Sequence, residues 1–144
     1  MVNIMNSNLT RTVLTLSQFA AQKLLQYGFD LAQERQVNLS IAFVDHSGVL
    51  LAFGRMDEAP VVTVDVAIGK ARTAAFLGAP SKVFEDMINA GQPSMTTVPG
   101  ILPLQGGVPL VSGKALVGAV GVSGASGEED QAIASLISEA LNKL

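Results

Sequence analysis

Arg55, Met56 and Asp57 carry chemistry directly after a run of apolar residues that extends from Val49 to Gly54. A guanidinium beside an apolar strand is costly unless it is paired. Its partner could be a nearby carboxylate, Asp57 or Asp45, or the carboxylate of a ligand, which a guanidinium meets with two parallel hydrogen bonds. These residues leave open whether Arg55 forms a structural ion pair or a clamp for an anionic ligand.

Lys70 adds a cation to a stripe that also contains Val66, Thr73 and Leu77. At this position a lysine is either a solvated residue at the edge of its helix or a ligand contact. We expect Arg55, Asp57 and Lys70 to meet beside one apolar hollow. If the site is catalytic, Lys70 or one of the carboxylates would transfer the proton.

His46 is the single histidine, and it lies in the turn sequence Asp45-His46-Ser47-Gly48. An imidazole in a turn is either a functional contact to a ligand or a solvated turn residue, and the sequence leaves both open.

Gly106 and Gly107 end a segment, residues 91–107, that is rich in glycine, proline and threonine. A segment of this length is usually functional or disordered, and its apolar residues favour an ordered wall or lid. The two glycines either let backbone N–H groups approach a ligand or form a turn. The later sequence from Gly121 to Gly127 does not have the glycine spacing of a dinucleotide-binding loop. Asp130 is among the acidic residues that follow this sequence, and their negative charge would repel phosphate.

The composition excludes several classes of protein. Cysteine is absent and there is one histidine, so the chain has no disulfide, no thiolate nucleophile and no zinc site built from cysteine and histidine. We predict no metal site. The net charge is −3 and the nine basic residues are scattered, which argues against nucleic acid as a partner.

Hydropathy predicts an oligomer without a membrane span. Hydrophobic residues make up 49% of the 144 residues, charged residues 15%, and the mean hydropathy is +0.42. Surplus apolar surface on a small chain usually enters a subunit interface. No apolar run approaches the ~20 residues that span a bilayer, and the first residues do not resemble a signal peptide. We therefore expect a cytoplasmic protein.

Local patterns predict the elements that position these residues. Helices are expected at about 16–35, 61–78, 82–90 and after the capping sequence at Ser126, and hairpin strands at about 38–45 with 49–55 and 108–111 with 115–122. The first helix is predicted to begin with a capping box from Thr15 to Gln18. Hairpins exclude an all-parallel sheet, so the expected class is α+β with an antiparallel sheet and flanking helices. Residues 1–14 are expected to form a flexible arm and 15–144 a single domain.

Several motifs, in this order along the chain, resemble the GlcG/HbpS family, which includes the C-terminal domain of PduO. They are Val44 to Gly48, Arg55-Met56-Asp57, Ala67 with Lys70 and Ala71, Gly106 to Pro109, and Val117 to Gly124 followed by Asp130. The resemblance implies a five-stranded antiparallel sheet similar to profilin and PAS-like folds. It also implies homo-oligomers from dimer to octamer, haem or tetrapyrrole binding in some members, and an association with catabolic operons. Haem iron is commonly held by histidine, so the resemblance makes His46 a candidate axial ligand. If haem binds without His46, then Met56, Tyr27 or a hydroxyl group would have to serve.

Three functions fit these observations. The first is an oligomeric small-molecule-binding protein whose ligand could be haem. The second is a small catabolic enzyme of the lyase or isomerase type acting on a carboxylated metabolite, and the third is an accessory subunit without a ligand. The predicted pocket lies between the end of the first hairpin, the Lys70 helix and residues 91–107. Its predicted ligand-binding residues are Asp45, His46, Arg55, Met56, Asp57, Lys70, Gly106 and Gly107.

Overall fold

The computed structural model describes residues 8–144, so the first seven residues of the predicted arm lie outside it. The elements are α1 (Gln18–Glu34), β1 (Ser40–Asp45), β2 (Leu50–Arg55), α2 (Val62–Leu77), α3 (Lys82–Asn89), β3 (Gly107–Ser112), β4 (Ala115–Ser123) and α4 (Gly127–Ala140). Two short 3-10 helices, Pro93–Thr97 and Leu141–Lys143, complete the chain. The α+β class is confirmed, whereas the assignment of 15–144 to a single domain stays a prediction.

The sheet has four antiparallel strands in the order β2-β1-β4-β3. The five strands implied by the family resemblance are therefore wrong for residues 8–144, although the hairpin patterns themselves indicated four. The segment before α1 approaches the sheet, where the Leu16 N–H donates to the Val117 carbonyl oxygen at 2.8 Å. Leu16 is buried, but the residues that precede it are exposed, and one such bond does not make a strand.

Helices cover both faces of the sheet. Because side chains alternate along a strand, Ile41 and Phe43 of β1 join one core with α1 and α4, whereas Ala42 and Val44 join a second core with the alanines of α2. Covering both faces explains why the strands are apolar on both sides.

α2 lies close against β4, because the residues at their contact are small. Ala67 and Ala71 are fully buried at this contact. A Cβ atom added to Gly121 would collide with the carbonyl oxygen of Ala67. The absence of a side chain at Gly121 therefore sets the distance between helix and sheet, and with it the position of Lys70.

Helix capping was predicted correctly for α4 and incorrectly for α1. The Ser126 hydroxyl accepts from the Glu129 N–H at 3.1 Å, as its capping pattern predicted. In α1 the cap is Ser17, whose hydroxyl accepts from the Ala20 N–H at 3.1 Å. The Thr15 hydroxyl instead accepts from the backbone N–H of His46 at 3.2 Å, so a tertiary contact replaces the expected local cap.

Residues 91–107 form an ordered wall that buried side chains hold against α2 and α3. The Thr73 hydroxyl accepts from the Leu102 N–H at 2.7 Å. The Ser81 hydroxyl donates to the Leu104 carbonyl oxygen at 2.6 Å and accepts from the Gly107 N–H at 2.9 Å. Ser81 precedes α3 but does not cap it with its side chain, because its hydroxyl holds this wall.

No helix within residues 8–144 combines the length and the apolar character that a membrane crossing requires.

Candidate functional site

The predicted site residues lie in three places rather than in one hollow. Arg55, Met56 and Asp57 line a cleft where β2 ends, Lys70 lies with Gly106 and Gly107 at the other edge of the sheet, and Asp45 and His46 occupy the turn between β1 and β2. Lys70 does not line the Arg55 cleft. The expected meeting of Arg55, Asp57 and Lys70 is therefore not observed, and a ligand-binding role for each residue stays a prediction.

The Arg55 cleft has a volume of about 370 Å³ and is formed by the end of β2 and one side of α1. From α1 it receives Gln26, Phe29 and Gln33. Gly54 makes this arrangement possible, because a Cβ atom at Gly54 would lie 2.6 Å from the ring of Phe29. The cleft thus combines one aromatic wall with amides and charged groups.

The guanidinium of Arg55 is largely free. Its Nη1 donates to the Ala59 carbonyl oxygen at 2.8 Å, but within residues 8–144 it forms no ion pair with Asp57 or Asp45. A guanidinium has five N–H donors, so four of them lack an acceptor in the part of the chain that the structure describes. The structural ion pair, which the sequence left open, is not formed.

Met56 is held in place through its sulfur. Its Sδ accepts from the Leu39 N–H at 3.3 Å, at the point where β1 begins. The side chain is half-buried beside Arg55, whereas Asp57 is exposed. The cleft therefore offers a positioned thioether next to a free cation.

Lys70 is a buried residue and not the solvated residue at the edge of its helix that the sequence left open. Its ammonium is buried and donates at 2.9 Å both to Asp130 Oδ2 and to the Val122 carbonyl oxygen. Asp130 is also buried, and its Oδ1 accepts from the Ala125 N–H at 2.9 Å. The sequence did not identify this pair, because Asp130 was interpreted as a first-turn acid of α4 and lies 60 residues from Lys70.

Gly106 and Gly107 make room for Lys70. A Cβ atom on Gly106, whose φ is +130°, would lie 2.7 Å from Lys70 Nζ, and one on Gly107 would collide with the Lys70 carbonyl oxygen. The Gly106 N–H donates to Gln131 Oε1 at 3.0 Å and the Gly107 N–H to the Ser81 hydroxyl. Both N–H groups are thus already bonded within the chain.

The turn between β1 and β2 is organised by Asp45. Its Oδ1 accepts from the Ser47 N–H, the Ser47 hydroxyl and the Val49 N–H at 2.9, 2.8 and 3.0 Å. Gly48 has a φ of +87°, a backbone conformation that glycine adopts without steric cost. His46 Nδ1 is buried and has no hydrogen-bond partner within residues 8–144, so its ring is not simply a solvated turn group.

Asp45 makes the stability of the protein depend on pH. Partial burial alone would raise the pKa of its carboxyl group, but hydrogen bonds from Val49 and Ser47 outweigh that effect and lower the pKa. We expect Asp45→Ala to lose stability at neutral pH, and the deficit to disappear as the pH falls through the lowered folded pKa, below the ordinary value of about 4. Urea unfolding of Asp45→Ala and the wild type at pH 7 and at acidic pH measures this loss of stability. Asp57→Ala is the control, and a deficit at Asp45 that does not change with pH would contradict the assignment.

The fold defines a class of α+β proteins with helices on both faces of a four-stranded antiparallel sheet. A family model described as "Haem degrading protein HbpS-like" matches residues 16–137. The chain belongs to this HbpS-like family, as its motifs predicted.

Relatives agree with this assignment. Protein GlcG of Escherichia coli is 38% identical over 98 residues, which cover 68% of this chain and 73% of GlcG. The crystal structure of a double mutant of Streptomyces reticuli HbpS superposes with a TM-score of 0.86 at 31% identity and covers 94% of this chain and 93% of that one. A crystal structure of a PduOC:heme complex has a TM-score of 0.81 at 27% identity, with 90% and 96% covered.

Proposed function

We propose that this chain is an oligomeric, cytoplasmic small-molecule-binding protein associated with a catabolic pathway, and that its ligand is haem or a related tetrapyrrole. Membership of the HbpS-like family supports this proposal, as does the similarity to PduOC, whose structure is a complex with heme. Large exposed apolar side chains, among them Val61 at 78% and Phe19 at 70%, favour self-association.

We assign the ligand to the Arg55 cleft. The observation that carries this assignment is a guanidinium with unused donors next to the ring of Phe29 and the thioether of Met56. Haem is a flat apolar macrocycle with two propionate carboxylates. An arginine meets such carboxylates in two parallel hydrogen bonds, and an aromatic wall suits the macrocycle.

Met56 would hold the iron in this arrangement, since methionine sulfur holds iron in some haem proteins. His46 lies at the opposite end of β2, roughly 20 Å from Arg55 at 3.3 Å per residue. A haem whose propionates reach Arg55 cannot therefore bind its iron to His46 of the same chain. At about 370 Å³ the cleft is small for this ligand class, so it would enclose only part of the macrocycle.

Titration with hemin tests the proposal. The wild-type protein is expected to sharpen the Soret band with near one-to-one stoichiometry. Met56→Ala should weaken binding about tenfold or more because it removes the axial ligand, and Arg55→Ala about tenfold because it removes the propionate contact. His46→Ala is the matched control and should bind hemin like the wild type.

Two results would contradict this site. Loss of the Soret change in His46→Ala with normal binding in Met56→Ala would move the ligand to the turn between β1 and β2. The absence of any specific spectrum from the wild-type protein would exclude haem.

The free guanidinium also favours one second candidate, a small catabolic enzyme acting on a carboxylated metabolite. Asp57 would then be the acid-base group within the Arg55 cleft, because Lys70 does not line it. Thermal stabilisation by small carboxylates that is lost in Arg55→Ala, without a haem spectrum, would favour this enzyme. If the protein responds neither to hemin nor to carboxylates, the remaining candidate is the accessory subunit that binds no ligand.

A further inference from the structure

A second cleft, here called the Lys70 cleft, lies between α2, α3 and the start of α4, and haem binding at Arg55 does not use it. It has a volume of about 290 Å³, and its polar groups come from Lys70, Glu85, Gln105, Ser123 and Asp130. It shares no lining residue with the Arg55 cleft.

The ammonium of Lys70 has one unused donor. It carries three N–H groups, and two of them bond to Asp130 and to the Val122 carbonyl oxygen. No third acceptor is present within residues 8–144, although only 3% of the residue is exposed. A buried donor without an acceptor is costly, so an oxygen atom of a ligand in the cleft would be stabilised there.

The neighbouring groups require a ligand that also donates. The Ser123 hydroxyl forms no side-chain hydrogen bond within the described part of the chain. Ser123 is buried, with 6% of the residue exposed. Glu85 accepts from the Gln105 N–H through Oε1 at 3.3 Å, which leaves its carboxylate with further acceptor positions.

Charge selects against anions and against metal ions. Two carboxylates, Glu85 and Asp130, face one ammonium in this cleft, so another anion would be repelled. Across residues 8–144, no three histidine, cysteine or acidic side chains are grouped to hold a metal ion. An oxygen atom of the ligand must lie against the Lys70 ammonium, which repels a positive charge, so we infer a ligand without a net charge.

We propose that the Lys70 cleft binds a small neutral polyol. One hydroxyl oxygen accepts the third N–H of Lys70, and adjacent hydroxyl groups donate to Glu85 and exchange a hydrogen bond with Ser123. Hydroxyl groups suit all three positions because each one both donates and accepts. This site is independent of haem binding.

Two-dimensional ¹H–¹⁵N NMR of the full chain, titrated with glycerol, tests the proposal. We expect saturable shifts in the amides of Ser123, Gly106 and Gly107, and none in those of Met56 and Asp57. Ser123→Ala should weaken glycerol binding about fivefold, since it removes one hydrogen bond. Ser135→Ala is the matched control, because Ser135 is half-buried on α4 and does not line the cleft.

The proposal fails if glycerol causes only linear, unsaturated shifts spread over the surface, which would mean that water alone occupies the cleft. It also fails if acetate produces the saturable shifts at these amides and glycerol does not. Should Ser123→Ala not fold, Glu85→Ala is the second variant, and unchanged glycerol affinity in that folded variant would overturn the assignment. Loading with hemin should leave the glycerol shifts in place, because the two sites are independent. Failure of the haem proposal would therefore not affect the glycerol result.

Discussion

Lys70→Met is expected to destabilise the protein by about 3–5 kcal/mol, which is the usual cost of removing one partner from a buried ion pair. The substitution leaves the carboxylate of Asp130 buried, with the Ala125 N–H as its only remaining partner among the described residues. Urea unfolding followed by circular dichroism measures the loss. The double variant Lys70→Met/Asp130→Leu should recover much of the stability, since it removes both charges together.

The matched control is Lys82→Met. Lys82 also pairs with an aspartate, Asp86, at 2.7 Å, but both side chains are about half exposed. A pair in water contributes little, so the midpoint of unfolding should hardly move. Equal losses in Lys70→Met and Lys82→Met would show that burial does not make the Lys70 pair important.

Gly121→Ala is expected to cost about 3 kcal/mol or more. The added methyl group would meet the Ala67 carbonyl oxygen and the Ala71 nitrogen, and backbone atoms cannot move aside as a flexible side chain can. α2 would have to separate from β4, which would also weaken the bond from Lys70 to the Val122 carbonyl oxygen. Thermal and urea unfolding measure the effect.

Gly78→Ala provides the comparison for this prediction. Gly78 ends α2 with a φ of +70°, and no atom lies within 4 Å of an added Cβ. Only backbone strain of about 1–2 kcal/mol is expected there. If both alanine variants lose the same amount, the close contact between α2 and β4 does not limit stability.

Both predictions concern the contact between α2 and β4, where Lys70 of α2 donates to the Val122 carbonyl oxygen of β4. β1 lies between the strands that carry them, because Ser40 pairs with Arg55 on one side and with Ser123 on the other. The two clefts therefore lie near the same end of the sheet but on different strands. The two clefts have no lining residue in common.

Local patterns in the sequence determined the helices, the two hairpins and the α4 cap. These features depend on residues close together in the chain, such as Ser126 and Glu129, so the pattern of residue types is sufficient to predict them. The grouping of Arg55 with Met56 and Asp57 was predictable for the same reason. The fifth strand came from the family resemblance rather than from any strand pattern, and it was wrong for the described residues.

Only the tertiary structure decided which of these groups meet. Lys70 and Asp130 are 60 residues apart and come together because α2 and α4 pack at the end of β4. Thr15, expected to cap its own helix, instead bonds to the turn at His46. Arg55 remains unpaired although two candidate acids lie near it in the sequence. A sequence pattern shows which partners are chemically suitable, but the packing of helices against the sheet determines which of them lie within 3 Å of each other.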